Sequence, residues 1–348
     1  MRLKGVCYDV GTVYYFNWRP HFDRGVIHRE LEIIKNDLHC NAIKISGFNV
    51  ERLQFTAEDA LEQGLEVWLS PQLWDKEWKK TIQYLTEAAK MAEGLRKEWS
   101  DRVVFSVGSE STLFTKGIVE GKNVSARMSN PKNWERIKAK EHNKPLNEFL
   151  KMANNSVRQV FHGKVTYASL IWEAVDWSLF DFVGLDHYLT KKIEQQYVPM
   201  LKPFLELSKP VVITEFGFRT YQGAASSSEG MAGDIVDHKT ELLHHLPVVG
   251  RFVRPRIRGN HVRDESSQAR ELVNQLTILD NARADGAFVS TFVFPLAPYD
   301  SDPRYDLDMA SYSLVKSFTG NNHGATYPDM NWEPKESFIA VADYYKNH

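Results

Sequence analysis

The feature that most constrains this chain is an alternation of short apolar runs with longer segments whose apolar residues recur at helical spacing. Runs of the first kind stand at 3–8, 41–46, 65–70, 102–107, 164–170, 182–185, 211–214 and 287–294. A strand buried on both faces, as in a parallel sheet, reads as such a run. Between them, 26–38, 77–99, 146–161 and 268–284 place apolar residues on one helical face. Thr56 and Asp59 have capping-box spacing for a further helix ending at Gly64. Eight strands alternating with helices favour a closed parallel barrel over a doubly wound sheet. The expected fold is α/β, a single (β/α)8 TIM barrel over 1–348, with long insertions after strands four and seven.

Two of the runs end in an acid. Residues 209–221 (KPVVITEFGFRTY) put Glu215 directly after Val211-Val212-Ile213-Thr214, and 102–113 (RVVFSVGSESTL) put Glu110 just past Val103–Val107. An acid at the end of an apolar strand is costly to desolvate unless it is paired or used. A salt bridge from Glu215 to Arg219 is the structural alternative. In a closed barrel, however, both glutamates reach one mouth, because residues just past the C-terminal strand ends build the site. The same rule brings Asp9, Gln72, Trp172, Glu173, His187, Tyr188, Arg219 and Phe294 to that face, with Lys44 inside the second strand.

Each of these residues also has a plainer reading. Trp172 and Trp177 suit a core, Glu173 suits a surface, and His187 suits a structural pair with Asp186. Together, two acids on different strands among several aromatics suit glycosidic bond cleavage. That chemistry needs one carboxyl protonated for the leaving oxygen and one ionised to attack or to activate water.

Composition removes other classes. A net charge of −2 argues against a duplex nucleic-acid binder. Two cysteines, Cys7 and Cys40, exclude a disulfide scaffold and are expected as buried thiols. No apolar run is long enough to span a membrane, and MRLKGVCYDV enters a strand without a signal-peptide core, so the expected location is the cytoplasm. Neither a P-loop nor a strand-linked GxGxxG is present, so no cofactor is expected. No His-x-His stands at the strand ends, so no metal is expected, and a metal-dependent hydrolase built on Asp186 and His187 ranks last.

The segment 226–263 is longer than an ordinary βα loop. It contains RFVRPRIRGNHVR (251–263), whose five arginines are interleaved with Phe252, Val253, Ile257 and Val262. It could line an acidic substrate's path, form a homo-oligomer contact, or be a surface subdomain with solvated arginines. His244 and His245 read as a surface pair.

The stretches TYASLIWEAVDWSLFDFVGLDHY (166–188) and KPVVITEFGFRTYQGAA (209–225) resemble the clan A retaining glycoside hydrolases, nearest in pattern to the β-mannanase-like branch. In that branch the fifth strand leads through a tryptophan-bearing segment into DFxGxxxY, and the seventh strand reads KPxxxTExGF. The resemblance spans the eight-strand frame and leaves out the arginine-rich insertion. It implies that Glu215 is the nucleophile, Glu110 the acid/base, and Tyr188 a residue lining the subsite of the cleaved sugar. The sequence departs from the pattern at Ser109, where the clan carries Asn contacting the sugar 2-hydroxyl, and at the strand-eight tryptophan, where Phe292 and Phe294 are the nearest aromatics. The expectation is a retaining hydrolase of a small glycoside or oligosaccharide, with a non-catalytic carbohydrate-binding or regulatory barrel as the alternative.

Overall fold

Strand pairing closes on itself in the computed structural model, which describes residues 1–12, 17–226, 233–244, 246 and 248–348. The strands are β1 (Leu3–Asp9), β2 (Ala42–Gly47), β3 (Glu66–Pro71), β4 (Val103–Ser109), β5 (Lys164–Leu170), β6 (Val183–Asp186), β7 (Val211–Phe216) and β8 (Gly286–Val289). Every neighbouring pair is parallel, and β8 returns to β1 through Leu3 opposite Gly286 and Val6 opposite Val289. The chain is therefore an eight-stranded parallel α/β barrel.

Period-two alternation sorts the strand residues into two layers. Leu3, Cys7, Ala42, Trp68, Val104, Phe182, Val212 and Phe288 form a separate buried cluster that fills the interior, with the Trp68 ring 4.9 Å from Phe182 and 5.3 Å from Phe288. Gly5 makes room for it, since a Cβ there would lie 2.3 Å from the Phe288 ring. The outward residues, among them Val6, Ile43, Ile45, Val67, Leu69 and Phe105, join Ile27, Leu31, Leu53 and Ala88 of the surrounding helices in the main core. Cys7 and Cys40 are buried and unpaired.

Four helices follow the apolar spacing: Arg24–Asn36, Trp78–Trp99, Asn143–Arg158 and Glu265–Asn281. The capping-box expectation at Thr56 is corrected. The helix runs Val50–Glu62 and is capped by Asn49, whose side chain accepts from the Arg52 N–H. The chain enters this helix directly after β2, which leaves Thr56 and Asp59 in its interior. The eighth strand is also shorter than expected. Its ladder stops at Val289, beyond which the Phe292 N–H turns to the Cys7 carbonyl at 2.9 Å and Phe294 lies in the following loop.

Between β4 and β5, Arg127 is fully buried and ties the intervening helical turns to the barrel. It donates to the carbonyls of Leu113 (2.6 Å), Gly121 (3.2 Å) and Phe114 (3.3 Å) and pairs with Asp75. After β7, the described part of the insertion includes a short helix, His238–His244, and isolated bridges from Tyr221 to Arg263 and from Val236 to Ile257. Residues 227–232, 245 and 247, and with them His245 of the expected histidine pair, lie outside the described residues. Past β8, a hairpin of β9 (Val315–Ser317) and β10 (Trp332–Pro334) leads into the helix Glu336–Asn347. A buried ion network fixes this region: Lys335 Nζ lies 2.7 Å from Asp308, and Arg263 reaches Asp308 at 2.8 Å and Asp306 at 3.0 Å. Among the described residues, no helix is long and apolar enough to cross a membrane.

Candidate active site

Three acids stand at the C-terminal ends of three strands, and each lies at an irregularity in the ladder. The register shifts between Ser106 and Ser109 before Glu110, between Leu185 and Asp186 on β6, and between Ile213 and Phe216 around Glu215. Such bulges re-aim side chains that strict alternation would send elsewhere. Glu110 also takes left-handed backbone angles, φ 47 and ψ 44. A non-glycine residue held there costs on the order of 1–3 kcal/mol and persists where the surroundings enforce it.

Those surroundings are visible. The Glu110 N–H donates to the Ala168 carbonyl on β5 at 2.8 Å. The turn that follows is anchored by Tyr167, whose hydroxyl accepts from the Ser111 N–H (2.7 Å) and donates to Glu173 (2.9 Å). Glu173, almost fully buried, also accepts from the N–H groups of Thr112 (3.1 Å) and Leu170 (3.0 Å). Glu173 is thus a buried brace behind Glu110, in contrast to the surface acid of the plainer reading.

One carboxylate oxygen each from Glu110, Asp186 and Glu215 lie within 4.8 Å of one another. Their partners differ. Glu215 accepts from the Lys44 ammonium at 2.8 Å on Oε1 and from the Tyr188 hydroxyl at 2.9 Å on Oε2. Asp186 accepts from Thr214 Oγ1 at 2.6 Å and from Ser109 Oγ at 3.3 Å. The Glu110 carboxyl has no hydrogen-bond donor among the described residues. Burial, then the charges of Asp186, Glu215 and Glu173, push it well above the usual carboxylate range, against the pull of Lys44. Burial likewise pushes Asp186 up to about 7, against the attraction of Lys44. For Lys44 the order is reversed: burial opposes the charge, but Glu215 and Asp186 outweigh it and hold the ammonium above its ordinary value.

Three clustered acids also suggest a cation site, but the donors argue otherwise. Both oxygens of Glu215 and both of Asp186 are already engaged, and Lys44 supplies a positive charge in direct contact with Glu215. The arrangement handles protons and an anion within a partly desolvated mouth.

The remaining expected residues fall into two groups. Lys44, Ser109 and Tyr188 touch the acids directly. Asp9 ends β1, with Oδ1 accepting from the Gly11 N–H at 2.6 Å, and burial pushes it up to about 7. Gln72 directly follows β3, half-buried, its N–H on the Gly47 carbonyl at 2.9 Å. The others face elsewhere. Trp172 stands edge-on to His142 (5.2 Å) and Trp134 (6.4 Å). The His187 ring stacks on Tyr197 at 4.0 Å, with Nε2 3.1 Å from the Tyr197 carbonyl, and burial pushes it down to about 4. Arg219 is buried, pairs with Asp234 and donates to the Ala224 carbonyl at 2.8 Å, while Glu215 is held by Lys44 and Tyr188. Phe294 is half-buried in the loop after β8.

Sequence reasoning passed over two residues. Asp186 was visible only as the neighbour of His187, although it too ends an apolar strand. Tyr312, whose ring stacks on Tyr188 at 5.2 Å, comes from the segment after the barrel, where no strand pattern points to the mouth.

Known structures share this architecture. A GH113 β-1,4-mannanase superposes with a TM-score of 0.62 at 12% identity, covering 100% of this chain and 99% of that one. The GH113 β-mannanase of Alicyclobacillus acidocaldarius, in complex with ManMIm, gives 0.60 at 14% identity over 99% and 97%. The β-D-glucuronidase of Dictyoglomus thermophilum gives 0.57 at 14% identity, covering 100% of this chain but 51% of that one. At these identities the likeness establishes the barrel fold. The chain matches no protein-family model and none of the curated proteins.

Proposed function

We propose that this chain is a retaining glycoside hydrolase that cleaves a small glycoside or oligosaccharide, with Glu215 as nucleophile and Glu110 as acid/base. The observation that carries this reading is the contrast between two acids whose carboxylate oxygens approach within 4.8 Å. Glu215 is held by an ammonium and a phenol, while Glu110, half-buried, takes no hydrogen bond from any described residue. A retaining pair stands about 5–5.5 Å apart, whereas an inverting pair leaves about 6.5–9.5 Å for a water. Closely spaced oxygens favour the first.

In the first step Glu215 attacks the anomeric carbon as Glu110 gives its proton to the leaving oxygen. In the second, Glu110, now ionised, takes a proton from water, which displaces Glu215. Lys44 and Tyr188 fix the attacking carboxylate in place, and the Glu173–Tyr167 brace fixes the backbone that carries the acid.

The charge of the mouth favours a neutral sugar over a uronate. Lys44 is the cation acting on Glu110 and Asp186, and it is bonded to Glu215. A non-catalytic carbohydrate-binding barrel is the second reading, suggested by Ser109 in place of Asn. Three closely packed acids, one buried and two half-buried, are expensive to hold, and sugar binding alone gives no reason for them.

The test is a screen of chromogenic α- and β-glycosides and oligosaccharides with Glu215→Ala as the blank. Turnover by the native chain, its loss in Glu215→Ala, and survival of Glu110→Ala on nitrophenyl leaving groups are expected. Activity on the same substrate in both variants would remove the assignment.

A further inference from the structure

A two-acid mechanism has no stated use for the third acid at the mouth. Asp186 is 2% exposed, and its carboxylate comes within 4.8 Å of both Glu110 and Glu215. Building on the hydrolase reading, we propose that Asp186 is a positioning residue whose carboxylate charge, held by Thr214 and Ser109, keeps the shared proton on Glu110.

The geometry assigns the proton. Thr214 and Ser109 place two hydroxyl donors on Asp186, Lys44 and Tyr188 place two donors on Glu215, and no described residue donates to Glu110. Donors favour an anion, so within this cluster the neutral carboxyl belongs on Glu110. The other titratable groups facing the cluster leave that order intact. Lys44 from β2 attracts every acid but bonds Glu215. Glu173, behind Glu110, adds repulsion that favours its protonated form. Cys7 from β1 and Tyr188 after β6 are both held above their ordinary ranges and stay neutral.

Ser109 then acquires a reason. Where the resemblance carries Asn, this chain has a hydroxyl aimed at Asp186, so Ser109 orients the third acid. Neither Ser109 nor Thr214 titrates, so pH acts on these contacts through the Asp186 carboxyl, which burial pushes up to about 7.

The experiment uses the full chain labelled with 13C at the Glu and Asp carboxyls, the Glu110 signal being assigned by its loss in Glu110→Gln. Asp186→Asn removes one charge about 5 Å away at nearly constant shape. At an effective dielectric near 20, the apparent Glu110 midpoint should fall by about two pH units. The alkaline limb of kcat/KM should move the same way. Thr214→Val, which weakens the anion on Asp186 without deleting it, should give a smaller shift in the same direction. A Glu110 midpoint that moves by less than about 0.3 pH units in Asp186→Asn overturns the proposal. If that variant does not fold, an unmoved midpoint in Thr214→Val overturns it instead. The NMR titration needs no substrate, so a chain that cleaves no glycoside would remove the hydrolase reading while this measurement still decides the role of Asp186.

Discussion

Replacing Lys44 by Met tests whether the mouth is organised electrostatically. Met is unbranched and of similar length, so the barrel interior stays filled and the change is mainly one of charge. Lys44 is fully buried and its ammonium sits 2.8 Å from Glu215, whose side chain is 23% exposed. Breaking a buried pair by removing one partner costs about 3–5 kcal/mol, and the partial exposure of Glu215 puts this case near about 3 kcal/mol. At about 2 °C per kcal/mol for a chain of this length, the melting midpoint should fall by about 6 °C near neutral pH.

The pH dependence carries a sign. Lys44 is held above its ordinary value, so its contribution is complete below that value and is lost only in strong alkali. The acids are what titrate. Asp186 and Glu110 are raised in the folded state, so their burial costs least at low pH, and the cost grows as pH rises toward about 7 for Asp186. Without Lys44 that cost deepens, so the deficit of the variant should be small near pH 5 and large near pH 8. Loss of the cation beside the nucleophile should also lower kcat/KM by roughly 100-fold, about 2.7 kcal/mol of transition-state stabilisation. Differential scanning fluorimetry across pH and steady-state kinetics read both effects. A deficit equal at the two pH values, or kcat/KM within about threefold of the native value, would refute the electrostatic account.

Tyr188→Phe removes one donor from Glu215 and keeps the ring stacked on Tyr312; the rate should fall about tenfold or more with a melting loss near about 1 kcal/mol. Asp308→Asn disrupts the buried network with Lys335 and Arg263 far from the acids in sequence; it should cost about 3 kcal/mol in urea unfolding and leave both limbs of the pH–rate profile in place. In the segment after β7, Leu242, Val248, Phe252 and Val262 are exposed. If they form a subunit contact, Phe252→Asp should reduce the mass seen by light scattering to that of one chain, and an unchanged mass at all concentrations rejects that role.

The barrel was legible because each of its strands is buried on two faces and so reads as an apolar run whatever its neighbours. Glu110 and Glu215 were legible for the same reason, as acids interrupting such runs. The pairing of Lys44 with Glu215 was not, because it joins residues 171 positions apart and depends on the β2 side chain pointing up the barrel interior. Asp186 was hidden by the bulges, which turn side chains toward the mouth without any mark in the periodicity. Arg219, a strand-end neighbour of Glu215 in sequence, is drawn instead to Asp234, an acid from the insertion that no local pattern links to it. The Thr56 spacing misled because a capping box and a helix interior can share the same residues when a better cap, Asn49, stands two turns earlier.

The central claim, that Glu215 attacks sugar while Glu110 donates the proton, is tested most directly by trapping the covalent intermediate. A 2-deoxy-2-fluoro glycoside with a good leaving group slows both steps but breakdown more, so the glycosyl–enzyme accumulates. Peptide mass mapping of the inactivated native chain should place the added sugar on Glu215, with Glu110→Ala labelled at the same residue and Glu215→Ala unlabelled. Sugar attached to Glu110 or Asp186 would contradict the assignment of roles, and turnover that proceeds with inversion and leaves no adduct would contradict the retaining mechanism itself.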